Sequence, residues 1–311
     1  MSARQARVLA HAKLNLSLRV LYKRPDNFHE LRTVFQTISL ADELTISYSA
    51  SKQTQIEIAD NTIPDNLVER AARRCLDAMR LTAKVHFTLK KRIPMGAGLG
   101  GGSSDAAAVL LALPALAGKA LPIERLSEVA ASLGSDVPFF LYGGTALGLG
   151  KGDELYPLPD SKPRYGVLIA PDIHVGTPEA YRDLSASLSD PTPKLASFQA
   201  GCWQTQGFEP VNDFEIPVFQ RHPRLATIRK SLIQKGAEIA LMTGSGSSIF
   251  AFFNTKETVR RVVQSWGEER IYPIRLLSGR SYRREWLRRL QPHIKGNLND
   301  NLWPPRSRYV R

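Results

Sequence analysis

The sequence predicts an α+β protein in two halves, on three observations. Apolar and polar residues alternate through Leu14-Asn15-Leu16-Ser17-Leu18-Arg19-Val20-Leu21, the period of two that marks a half-buried strand. Strand and helix patterns then follow one another to about residue 150. Pro157, Pro159 and Pro163 punctuate the chain, and the pattern restarts at Tyr165, as expected at a domain junction.

Residues 34–39, 44–48, 55–58 and 84–90 read as further strands of the first half, the last with Val85, Phe87 and Leu89 on one face. Asn66 is placed to cap a helix over 67–79, where Val68, Ala71, Ala72 and Cys75 recur at helical spacing. Helices are expected at 104–116 and at 123–133, the latter stopped by Gly134. In the second half strands are expected at 165–170, 239–242, 249–253 and 271–277, with helices at 225–235 and 256–266. Residues 185–193 read as a polar linker.

Composition narrows the function classes. With 311 residues, 43% of them hydrophobic, the chain is long enough for two cored domains. Its longest apolar run, residues 106–117, includes Pro114 and falls short of the ~20 residues that cross a bilayer. Arg4, Arg7, His11 and Lys13 interrupt any secretory signal, so the expected location is cytoplasmic. Cys75 and Cys202 lack the spacing of a zinc site. The net charge of +13 is uneven, with 14 basic and 5 acidic residues in 256–311. That end is expected to be a solvated helix, residues 283–290, followed by a ragged basic tail. A nucleic-acid-binding arm is the weaker alternative, because the aromatics there are not regularly interleaved.

The chemistry centres on residues 94–108, where Gly96, Gly98, Gly100, Gly101 and Gly102 run directly into a helix. Glycines let backbone N–H groups turn inward and a phosphate approach closely, and the helix start adds partial positive charge. No Gly-Lys-Ser/Thr occurs, which excludes a P-loop. Gly96, Gly98 and Gly101 match the spacing of a dinucleotide fingerprint, but residues 90–94 separate them from the preceding strand. The protein-kinase signatures are absent.

Residues 94–108 resemble the phosphate-binding motif of the GHMP kinase superfamily. The Gly-Gly-Gly-Ser-Ser-Asp-Ala-Ala variant resembles the branch that phosphorylates 4-diphosphocytidyl-2-C-methyl-D-erythritol. Ala12-Lys-Leu-Asn-Leu16, Asp26-Asn-Phe-His-Glu30, Leu133-Gly-Ser-Asp-Val-Pro-Phe139, Gly176-Thr-Pro178 and the turn at 243–248 agree with it. The resemblance implies a two-domain GHMP kinase fold, with a ribosomal-protein-S5-like N-terminal domain (1–160) and a ferredoxin-like C-terminal domain (161–279). A basic tail (280–311) would follow. It implies ATP bound by Pro94, Met95, Gly96, Ala97, Gly98, Leu99, Gly100, Gly101, Gly102, Ser103 and Ser104. Asp136 would be the base and Lys13 the cation beside it. Asn15, Phe28, His29, Thr177 and Tyr181 would bind the substrate, with Phe28 standing where the family carries tyrosine. Mg²⁺ would arrive with ATP, Ser104 being only a weak ligand candidate. The expected partner is the small-molecule substrate, with no membrane or nucleic acid, and the chain would act as a monomer or weak homodimer.

Overall fold

The structure is a computed structural model, and it describes residues 3–59, 62–186, 188, 190–203, 208–267, 269–294 and 302–303. β1 (Arg4–Lys23) and β2 (His29–Ala50) form a long antiparallel hairpin with register shifts between His11 and Lys13, Asn15 and Ser17, and Val20 and Tyr22. The sequence suggests two strands where β2 is one, because Asp42 and Glu43 interrupt its apolar pattern. Both carboxylates are buried and partnered. Asp42 accepts the Ile93 N–H at 2.8 Å and pairs with Lys91, while Glu43 pairs with Arg7. Partners of this kind remove the cost of burying charge, so the strand continues through them.

The first half continues with β3 (Gln55–Ile58), α1 (Leu67–Met79), β4 (Ala83–Lys90), α2 (Gly101–Ala117), β5 (Leu121–Pro122) and α3 (Ile123–Leu133). It closes with α4 (Phe139–Tyr142), β6 (Thr145–Leu149) and β7 (Glu154–Pro157). Asn66 caps α1 as expected, its side chain accepting the Val68 N–H at 3.0 Å. The sheet order is β3-β4-β2-β6-β7 with β1 also on β2, and only the β3–β4 pair is parallel. Leu44, Ile46 and Phe87 of the sheet share one core with Leu76, Leu110 and Phe139 of the helices. α2 starts three residues before the expected position, at Gly101, so the end of the glycine run is itself the first helical turn. Every residue of α2 from Ser104 to Leu116 is buried, which explains its uniformly apolar sequence from Ala106 onward.

The second half comprises β8 (Tyr165–Ala170), α5 (Thr177–Ser185), α6 (Thr192–Trp203), α7 (Glu215–Arg221), α8 (Pro223–Gln234) and β9 (Ile239–Met242). β10 (Ile249–Phe253), α9 (Lys256–Ser265) and β11 (Arg270–Arg275) follow. Its antiparallel sheet runs β11-β8-β10-β9, the strand order of a ferredoxin-like sandwich. The linker expectation at 185–193 is only partly met, since α5 and α6 enter that stretch from both sides.

The expectation for the basic end is corrected. α10 (Gly279–Leu290) is amphipathic rather than solvated all round: Tyr282, Trp286 and Leu290 lie in the core of the first half. Tyr282 Oη donates to the Phe140 carbonyl at 2.5 Å, and a 3₁₀ turn (Gln291–His293) follows the helix. β12 (Leu302–Trp303) pairs with β5, and Trp303 Nε1 donates to the Leu111 carbonyl at 2.6 Å. The regular spacing of four between three apolar residues was present in the sequence but masked by the surrounding arginines. Residues 295–301 and 304–311 of the expected tail lie outside the described residues.

β1 is the seam of the molecule. Its outward N–H groups are satisfied by three other segments: Lys13 donates to the Leu99 carbonyl, Asn15 to Thr243 Oγ1, and Leu18 and Val20 to the Val211 carbonyl and Asp213 Oδ2 of one stretch. A third apolar cluster behind it joins Ala12, Leu14, Ile38 and Leu99 to Leu241, Phe250 and Phe252 of the second sheet. Among the described residues no helix is long and apolar enough to cross a membrane.

Candidate active site

Alternation along β1 sends Ala12 and Leu14 into the seam and Lys13 and Asn15 to the opposite face, where a cleft of about 790 Å³ opens between the two halves. The Lys13 ammonium donates to Asn15 Oδ1 at 2.7 Å and lies 3.5 Å from Asp136 Oδ2 and 5.2 Å from the Phe35 ring centroid. Asn15 Nδ2 donates to Thr33 Oγ1 at 2.8 Å, and that hydroxyl donates to the Ser17 carbonyl at 2.8 Å. An ammonium has only donors, so this chain fixes the Asn15 amide with its oxygen toward Lys13. Lys13 is 5% exposed and Asn15 2%, whereas the Asp136 side chain keeps 31% of its surface. Asp136 stands in the turn after α3, held between Gly134 and the buried Val137.

The glycine loop reaches this centre through its backbone. A Cβ on Gly98 would lie 2.1 Å from the Thr243 carbonyl oxygen, so the first loop and the 243–248 turn touch main chain to main chain. A Cβ on Gly100 would meet the Phe140 ring at 2.9 Å and Lys13 Cγ at 3.2 Å, and its φ of +67° is left-handed. Gly98, Gly100 and Ser103 line the cleft. Gly101 and Gly102 form the first turn of α2, whose leading N–H groups have no helical partner. Ala97 and Leu99 point into the seam, Pro94 is half-buried, and Met95 is exposed. Gly96 faces His174. Ser104 is buried and donates to the His11 carbonyl at 2.7 Å, so its hydroxyl is committed inside the fold.

Sequence reasoning missed the brace beneath this loop. Lys91 bonds Asp105 of α2 at 2.7 Å and also pairs with Asp42. Burial pushes the Asp105 carboxyl upward and the Lys91 ammonium opposes that shift. The only signal was Lys91 just before the motif and Asp105 within it.

At the other end of the cleft, the Ser185 hydroxyl donates to the Tyr181 carbonyl at 2.7 Å, so the His29 Nε2–H donates to Ser185 Oγ, also at 2.7 Å. Burial, and then the charge of Lys23, lower the His29 pKa, which keeps the ring neutral and leaves Nδ1 as an acceptor. His29 stacks on Tyr181 with centroids 4.6 Å apart, and Tyr181 meets Phe214 edge-on at 4.8 Å. Phe28 is 56% exposed, with the Lys151 ammonium 4.8 Å from its ring centroid. Thr177 Oγ1 lies 2.9 Å from Ser245 Oγ, linking α5 to the 243–248 turn. Asn212 Nδ2 donates to the Met242 and Gly244 carbonyls at 2.8 Å each. Nothing around Asn212 in the sequence marked it. Among the described residues no group of three or more His, Cys, Asp or Glu is gathered as a metal centre.

Comparison with known proteins agrees with this geometry. Residues 66–144 match the GHMP kinases N terminal domain and residues 199–271 the GHMP kinases C terminal family. The 4-diphosphocytidyl-2-C-methyl-D-erythritol kinase of Solibacter usitatus is 52% identical over 316 residues, covering 99% of each chain. That of Moorella thermoacetica is 40% identical over 267 residues, 81% of this chain and 92% of its own. A crystal structure of 4-(cytidine 5'-diphospho)-2C-methyl-D-erythritol kinase superposes with a TM-score of 0.73 at 38% identity, covering 87% of this chain and 98% of that one. Homoserine kinase from Cytophaga hutchinsonii, at 20% identity and a TM-score of 0.66 over 88% and 96% of the two chains, shares the fold. The chain therefore belongs to the GHMP kinases and, within them, to the 4-diphosphocytidyl-2-C-methyl-D-erythritol kinase family.

Proposed function

We propose that the chain transfers the γ-phosphoryl group of ATP to the 2-hydroxyl of 4-diphosphocytidyl-2-C-methyl-D-erythritol. The observation that carries this reading is the Lys13 ammonium held 3.5 Å from Asp136 Oδ2 beside Gly98, Gly100 and Ser103. Transfer to an alcohol needs an acceptor for the hydroxyl proton and positive charge for the developing anion. Asp136 takes the proton, and Lys13 orients the carboxylate and stabilises the alkoxide. Asn15, bonded to Lys13, offers a polar contact to the acceptor. Backbone N–H groups at the start of α2 and along residues 94–104 hold the phosphates.

His29 reads the cytosine through the free Nδ1, with Phe28 and Tyr181 as the aromatic surfaces and Thr177 beside the turn that closes over the phosphates. Mg²⁺ enters on ATP, since this hard cation keeps mostly phosphate and water ligands. When bound it would neutralise phosphate charge, and Ser103 is the cleft side chain suited to it. All these residues belong to one chain, so the reading needs no partner subunit, and the reaction is assigned to the cytoplasm, where ATP is available.

The test is ADP release by purified protein with Mg²⁺ and a panel of the cytidyl alcohol, mevalonate, homoserine and galactose. Turnover confined to the cytidyl alcohol is expected. Preference for another alcohol, or none at all, would sink the reading.

A further inference from the structure

α10 packs against the part of β1 that precedes Lys13. Arg289 donates to the Arg7 carbonyl at 3.2 Å, and the His293 ring bonds the Gln5 carbonyl at 2.9 Å. Between these contacts and Lys13 sits His11, 4% exposed. Its Nδ1 faces the Ile38 carbonyl at 3.2 Å and its Nε2 faces Glu285 Oε2 at 2.9 Å. Both nitrogens therefore look at acceptors. An ionised carboxylate only accepts, so the ring N–H at Nε2 donates to Glu285. Glu285 is ionised: the hydrogen bond from His11 is the main influence holding its carboxyl at about 2, and Arg289 at 3.0 Å adds to it. The other groups around the pair are Tyr282, its ring centroid 5.9 Å from that of His11, and Arg288, 3.9 Å from Glu285.

The position of His11 gives this pair its leverage. The register of β1 on β2 shifts between His11 and Lys13. The Ile38 carbonyl belongs to the stretch of β2 opposite that shift, and the His11 carbonyl receives the Ser104 hydroxyl from α2. One residue thus joins β1, β2, α2 and α10 at the point where the strand turns Lys13 into the cleft. Neither His11 nor Glu285 lines the cleft.

We propose that His11 and Glu285 are positioning residues for phosphoryl transfer: the His11 ring, clamped between Glu285 of α10 and the Ile38 carbonyl of β2, sets the irregularity of β1 from which Lys13 is presented to Asp136. The proposal rests on the kinase reading above. It makes the C-terminal helix part of the machinery and gives its carboxylate a task that helix packing alone does not require.

Two readouts on the full-length protein test it. Nitrogen-15 spectra of the histidine rings should show a hydrogen-bonded N–H at His11 Nε2 in the parent chain that shifts in Glu285→Gln; a His11 resonance indifferent to that substitution overturns the clamp whatever the substrate. In steady-state assays Glu285→Gln should lower kcat about tenfold while both KM values stay within about twofold, because small displacements of a reacting group cost rate rather than ground-state binding. Glu285→Asp, which keeps the charge, should recover part of the loss. His11→Asn keeps a polar side chain on β1 and drops the link to Glu285, so it should reproduce the kcat loss even if Glu285→Gln does not fold. Unchanged kcat in either folded variant, or a loss matched by rising KM and falling Tm, would overturn the positioning role. Failure of the parent chain to phosphorylate the cytidyl alcohol would instead count against the kinase reading, and the ring spectra would still decide whether the clamp exists.

Discussion

At the glycine end of the cleft, the contacts are made by main chain and buried side chains: Gly98 against Thr243, the Lys13 N–H on the Leu99 carbonyl, and Lys13 and Asn15 sealed beneath. At the other end they are made by side chains, with His29 stacked on Tyr181, Tyr181 edge-on to Phe214, and Phe28 largely in solvent. Backbone contacts cannot yield when an atom is added, whereas a stack of rings can be trimmed or tilted. Errors at the first end should therefore spread to ATP binding and turnover, and errors at the second should stay with the alcohol substrate.

The largest expected effect is at the buried centre. Asp136→Asn keeps the shape but cannot accept the proton, so kcat should fall ~10²–10⁴-fold with ATP affinity retained in calorimetry. Near-normal kcat in a folded variant would remove Asp136 from the role of base. Next comes Gly98→Ala, whose Cβ meets the Thr243 carbonyl oxygen at 2.1 Å and whose φ is +76°. It should cost about 1–3 kcal/mol of stability and weaken ATP binding at least tenfold. A normal melting curve with normal ATP affinity would show that the two turns part freely.

The nucleobase end should respond less, and selectively. Tyr181→Leu removes one aromatic stack and one edge contact, each worth about 0.5–1.5 kcal/mol. The KM for the cytidyl alcohol should rise roughly two- to tenfold, with the KM for ATP unchanged. Acid offers a substitution-free version of the same test. Because burial lowers the folded-state pKa of His29 below its ordinary value, the neutral ring's contribution to stability is present above the ordinary pKa and is lost as pH falls through the lowered one. Over that acid range Nδ1 gains a proton, and the KM for the cytidyl alcohol should rise more steeply than that for ATP. Parallel rises would break the contrast between the ends. The smallest effect belongs to Phe28→Leu, since an exposed ring with a cation contact contributes about 0.5–1 kcal/mol. A two- to fivefold rise in the same KM is expected, and a larger one would mean that the ring is buried once substrate binds.

Much of the fold was legible because its signals are local. The Asn66 cap and the helical spacing through Cys75 placed α1 at its observed bounds, and the expected strands at 55–58, 165–170, 239–242 and 249–253 coincide with β3, β8, β9 and β10. β2 was misread as two strands because the partners of Asp42 and Glu43, Lys91 and Arg7, lie far away in the chain. α6 carried weak periodicity. The motif glycines were visible as a set, but their separate tasks were not, since Gly98 answers to Thr243 and Gly100 to Phe140.

The sequence by itself determined the faces: Lys13 and Asn15 on one side of a strand with Ala12 and Leu14 on the other, a glycine run leading into a buried helix, and apolar residues every fourth position in α10. Those follow from backbone periods of two and 3.6, which are properties of neighbouring residues. What each face meets was decided by tertiary structure alone. Thr243 stands 228 residues from the Asn15 N–H it accepts, and Glu285 stands 274 from His11. Contacts across such separations depend on how complete elements pack, because a side chain's type and periodicity set which way it faces and leave its partner to the surface folded against it.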